Sequence, residues 1–93
     1  MQIKLVEYHV RLHGCVNLKD KKGRLGRLKS VVGKETQFAL IESALQDDLN
    51  EVVFSVLTLA NDTPQANRQV QWLEDQFQSL IDGEILSTQQ QTL

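Results

Sequence analysis

The sequence predicts an α+β fold of four strands and two helices in the order βαββαβ, and three observations carry it. Residues 6–13 alternate strictly, with Val6, Tyr8, Val10 and Leu12 on one side and Glu7, His9, Arg11 and His13 on the other, the period of a half-buried strand. Two segments place apolar residues at helical spacing: Leu18, Leu25, Leu28 and Val32 in the first, and Ala66, Val70, Leu73, Phe77, Leu80 and Ile81 in the second. Between them residues 52–60 are apolar at both parities, as in a central strand covered on both faces.

Each element has its own start and stop signals. Ile3 and Leu5 fall on the wrong parity for the first strand, so either a bulge separates them or the first residues bury both faces. Gly14 closes that strand. Asn17 is a helix N-cap with Asp20 three residues on, a capping box with a short acid, and Gly33 is placed to end the helix as its C′ residue. Gly23 and Gly26 stand mid-helix, where each costs about 1 kcal/mol relative to alanine. Residues 38–43 form the second strand, with Phe38 and Leu40 opposed to Ala39 and Ile41, and residues 45–50 a polar connection. Asn61-Asp62-Thr63-Pro64 starts the second helix, which runs to Gly83. Residues 84–88 make a short last strand. The expected domain is thus residues 1–88, with residues 89–93 a frayed polar tail. This order is the split βαβ pattern of a ferredoxin-like sandwich, a four-stranded antiparallel sheet with two helices on one face. Its other face is open, and Val53 and Leu57 on it favour a homodimer or another partner.

With 93 residues there is room for one core. The lone Cys15 supports neither an internal disulfide nor a multi-cysteine zinc site, which fits a reducing compartment. Glu7, His9 and Arg11 interrupt any signal-peptide run ahead of Leu12-His13-Gly14-Cys15, and the longest nearly apolar stretch falls far short of the roughly 20 residues that span a bilayer. A soluble, cytoplasmic protein with no membrane contact is expected. The net charge of −2 hides a division: residues 1–34 carry nine basic and two acidic side chains, a net +7, and the remainder a net −9. Seven of the ten lysines and arginines fall within residues 17–34.

Leu12-His13-Gly14-Cys15-Val16-Asn17-Leu18-Lys19-Asp20-Lys21-Lys22, followed by Leu25 and Leu28-Lys29, resembles the YlxP-like family of small bacterial proteins, whose first helix opens on a Lys-Asp-Lys-Arg run after a Pro-Gly turn. Residues 38–42 and 56–62 resemble that family's second and third strands, the latter ending in Asn-Asp. The resemblance implies a ferredoxin-like fold and an association with ribosome maturation, since the genes of family members often adjoin that of ribosome-binding factor A. Two departures stand out. Gly23 and Gly26 are unusual for such proteins, and Asp48-Leu49-Asn50 replaces an Asp-x-Trp that many of them carry.

Lys19, Lys21, Lys22, Arg24, Arg27 and Lys29 surround the first helix's apolar stripe and form a candidate phosphate-binding surface, whose affinity would fall steeply with salt. Lys22-Gly23-Arg24-Leu25-Gly26-Arg27 has the spacing of a GxxG backbone clamp, but such a loop needs a helix ending before it and only residues 17–22 are available, so an ordinary weakened helix is expected. The third strand lacks the aromatics that would stack bases on the sheet. His9 and His13, four residues apart on a strand, are too distant to chelate one ion, and His9, Arg11 and Glu7 are read as a solvated or dimer-facing row in preference to a polar site on the open face. Asp47 and Asp48 lack the spaced oxygens of a calcium loop. No catalytic residues, metal ligands, cofactor or small-molecule substrate are expected, and the protein is read as a non-enzyme. Trp72 lies off the second helix's apolar stripe and is a candidate interface anchor. The expected function is an accessory protein binding RNA or the ribosome through its first helix. The alternative is a homo-oligomeric protein-interaction module whose basic helix meets an acidic surface.

Overall fold

The computed structural model describes residues 1–93, in the element order the sequence predicts: β1 (Gln2–Leu12), α1 (Leu18–Gly33), β2 (Phe38–Ala44), β3 (Glu51–Ala60), α2 (Thr63–Leu80) and β4 (Gly83–Thr92). One antiparallel sheet has the order β2-β3-β1-β4. Both helices lie on one of its faces, so the alternate residues Val6, Tyr8, Val10 and Leu12 of β1 and Val52, Phe54 and Val56 of β3 join Leu25, Leu28, Val32, Leu73 and Phe77 in one core. Tyr8 stacks on Phe77 at 3.8 Å between ring centroids, and Phe54 meets the same ring edge-on at 5.5 Å. Burial first, and the charge of Glu74 second, push the Tyr8 phenol well above its ordinary pKa, so it stays neutral in the core. No helix is long and apolar enough to cross a membrane.

β1 and β3 pair in an unbroken register from Gln2 opposite Ala60 to Arg11 opposite Glu51. No bulge therefore separates Ile3 and Leu5 from the rest of β1. They lie on the open face, beside Leu59 and Leu57 of β3. The both-faced apolar pattern of β3 has the same origin: one face is covered by helices, while Val53 and Leu57 are only half-buried and Leu59 is 46% exposed on the other. The strand is central but covered on one face alone.

The ends of three elements differ from expectation. Gly33 is the last helical residue of α1, and Lys34, with right-handed φ of −76°, caps it through its N–H to the Ser30 carbonyl at 3.2 Å while the Glu35 N–H reaches the Val32 carbonyl at 3.1 Å, so no left-handed glycine is required there. Helix α2 stops at Leu80, where Ile81 turns into extended backbone and buries its side chain beneath the helix end. Gly83 instead opens β4, where a Cβ would stand 2.0 Å from the Arg11 carbonyl oxygen, closer than any side chain allows. Residues 89–92, read from their polarity as a tail, are the second half of β4, paired with β1 as far as Thr92 opposite Lys4. Polar side chains did not prevent pairing because the β1 edge offered main-chain partners, and the Leu93 N–H still reaches the Ile3 carbonyl at 2.8 Å. Gly14, at φ +63°, makes the left-handed turn that releases β1 toward α1.

Candidate nucleic-acid interface

Helix α1 starts as its sequence dictates. The Asn17 side chain accepts from the Asp20 N–H at 2.8 Å, and the Asp20 carboxylate accepts in return from the Val16 N–H at 3.2 Å. From there the helix runs without interruption through Gly23 and Gly26, so the GxxG spacing makes no loop. The six cations proposed as a patch divide into two groups.

Three are occupied within the chain. Lys21 is only 1% exposed. Its stem lies on the apolar stripe, and its ammonium donates to the carbonyls of Leu45 at 2.8 Å, Gln46 at 3.3 Å and Glu51 at 2.7 Å, and to that of Asp48. Lys21 is therefore a structural clamp on the β2–β3 loop and not a nucleic-acid contact. The loop needs one, because Leu45 sits at φ +62°, a left-handed conformation that costs a non-glycine residue roughly 1–2 kcal/mol. Arg24 is spent on the β1–α1 turn: it pairs with Asp20 at 3.1 Å and Asp82 at 3.8 Å, and donates to the carbonyls of His13 and Gly14. Lys29 pairs with Glu42 of β2.

Lys19, Lys22 and Arg27 are exposed and enter none of the ion pairs. Lys19, Gly23, Gly26 and Ser30 follow one another at intervals of four, three and four, so they share the outward face of α1, with Lys22 and Arg27 flanking the glycines. Nothing lies within 4 Å of the position a Cβ would take at either glycine. The outward face is thus a smooth strip of small residues bordered by free cations.

Periodicity carried the signal that Lys21 is internal. The stripe skips a turn between Leu18 and Leu25, and Lys21, three after one and four before the other, fills it. Gln69 is a second buried polar residue the sequence did not announce: between Ala66 and Leu73 on α2, it donates to the Thr58 hydroxyl at 2.7 Å and the Leu59 carbonyl at 2.8 Å. Trp72 is half-buried and stacks on Phe38 at 5.3 Å, so its ring closes α2 over the start of β2 and offers no free anchor. On the open face His9 meets Glu51 at 2.7 Å and Arg11 meets Glu84 at 3.6 Å, while His13 is exposed.

The β2–β3 loop also has an acid-sensitive element. The Asn50 and Glu51 N–H groups donate to the Asp48 carboxylate, each at 2.9 Å, and hold it below its ordinary pKa, with the Lys21 charge adding to the effect. A lowered folded pKa means the contribution of Asp48 is present above the unfolded carboxylate value and lost as pH falls through the folded one. Protection of the Asn50 and Glu51 amides, taken relative to their intrinsic exchange rate at each pH, is expected to fall on that acid limb, and in Asp48→Ala to be low throughout.

The sequence model of a family described as "Protein of unknown function (DUF503)" matches residues 3–90. The chain belongs to the DUF503 family. Among solved structures, a dimeric ferredoxin-like protein from an uncultured marine organism is similar with a TM-score of 0.58 at 12% identity, over 100% of this chain and 96% of that one. At that identity the likeness shows the ferredoxin-like fold alone. No curated protein matches the chain.

Proposed function

We propose that this DUF503 member is a cytoplasmic, non-catalytic accessory protein that binds RNA phosphates through the outward face of α1, in the ribosomal setting implied by its likeness to YlxP-like proteins. The observation that carries the proposal is the pair Gly23 and Gly26. Each costs about 1 kcal/mol of helix stability, and with open space at both Cβ positions no packing inside the protein offsets it. Close approach of a backbone from outside supplies a reason, and the unpaired Lys19, Lys22 and Arg27 beside them set the sign of what approaches. Gly23→Ala combined with Gly26→Ala is expected to raise unfolding stability by about 2 kcal/mol in urea denaturation. The same double variant should bind structured RNA more weakly in a gel-retention assay. Undiminished retention would remove the glycines from the contact.

A second function, self-association, is supported by the open face, where Ile3, Leu5, Val53 and Leu57 are half-buried and Ile41 and Leu59 are 62% and 46% exposed. The dimeric state named for the marine ferredoxin-like protein is in keeping with it. Leu57→Asp places a carboxylate in the middle of this apolar group and is expected to dissociate any dimer that uses it, as read by sedimentation.

A further inference from the structure

We propose that β4 is a self-pairing edge, through which two copies join antiparallel about a two-fold axis at Gln90 to make one eight-stranded sheet. The proposal rests on the self-association reading and moves its contact from the open face to the sheet edge. β4 is the last strand of the sheet and pairs only with β1. Since the Leu93 N–H bonds to the Ile3 carbonyl, the alternation of an antiparallel ladder turns Ser87, Gln89, Gln91 and Leu93 toward β1. It leaves Thr88, Gln90 and Thr92 with main-chain N–H and C=O directed outward.

Exposed edges of this kind are ordinarily blunted by charge, proline, bulges or short length. The opposite edge follows that rule: β2 has seven residues, a register shift between Glu42 and Ala44, and the charged Glu42 paired with Lys29. The second half of β4 does not. Residues 85–93 contain no charged side chain and no proline, and residues 86–93 are exposed, although the Lys4 ammonium of β1 reaches the Thr92 hydroxyl at 2.8 Å. The irregularity in the β1–β4 ladder falls earlier, between His9 and Val10, and leaves the distal stretch regular.

The occupant is specified by the sequence of the edge. Thr88-Gln89-Gln90-Gln91-Thr92 reads the same in both directions. An isologous contact must be complementary to itself, and a two-fold at Gln90 sets Thr88 against the partner's Thr92, Gln89 against its Gln91, and Gln90 against its own copy. The outward residues then oppose outward residues, closing about six main-chain hydrogen bonds with no like charges across the seam.

Sedimentation of the full chain with Gln90→Lys and Gln90→Glu tests this. Both substitutions are at an exposed side chain and leave the bonds to β1 in place, which circular dichroism checks. The wild type is expected to be a dimer. Each variant alone should dimerise on the order of a hundredfold more weakly, because like charges then meet on the axis, and an equimolar mixture of the two should recover the dimer. A wild-type monomer would overturn both the edge and the self-association reading. A dimer that survives both Gln90 variants but is lost in Leu57→Asp would overturn the edge alone and leave the open face as the contact.

Discussion

Replacing Lys21 with Met is expected to lower the unfolding free energy by about 3 kcal/mol, although the side chain keeps nearly the same length and apolar stem. The loss comes from the far end. With the ammonium gone, the carbonyls of Leu45, Gln46, Asp48 and Glu51 lose a shared donor in a site where the lysine is 1% exposed. The left-handed Leu45 then has less to hold it. For a chain of this size such a change corresponds to a fall in Tm of roughly 12–24 °C. Thermal unfolding followed by circular dichroism reads it directly. A fall of less than about 4 °C would mean that the loop keeps its conformation without the clamp, and that Lys21 is internal only by packing.

Reversing Lys19, Lys22 and Arg27 together to Glu is expected to abolish RNA retention while leaving stability nearly unchanged. None of the three is paired within the protein, and exposed charges of this kind contribute little to folding. The attraction to phosphate that the proposal assigns to them would become repulsion. Reversal of Arg24 or Lys29 is a poor substitute, because those side chains hold the β1–α1 turn and β2, so any loss of binding would be mixed with loss of structure. Full retention by the triple variant would place the contact elsewhere on the molecule.

The fold was legible because period and punctuation agreed. Alternation in β1, the stripes of α1 and α2, the Asn17 cap and the helix start at Asn61-Asp62-Thr63-Pro64 each acted locally, and the structure follows them, with the Asp62 side chain capping α2. What polarity misrepresented was decided by partners far along the chain. Gln89, Gln90 and Gln91 look like a tail until the β1 edge lies beside them, and Gly83 looks like a helix stop until the Arg11 carbonyl is found where its side chain would be. The candidate site suffered most from counting charge by residue. A lysine in a stripe position is charged in composition and internal in structure, so a net +7 over residues 1–34 became three free cations on the outward face of α1. The glycines, whose GxxG spacing makes no loop and which weaken the helix, have empty Cβ positions that lie among those cations.

RNA affinity as a function of salt tests the outward face of α1 most directly. Three lysine or arginine contacts to phosphate predict a log–log slope of about −2 to −3, with clear retention of structured RNA at about 50 mM salt, and no measurable binding by the Lys19, Lys22 and Arg27 reversal. Absence of retention by the wild type at that salt, or a slope unchanged by the reversal, would contradict the proposal.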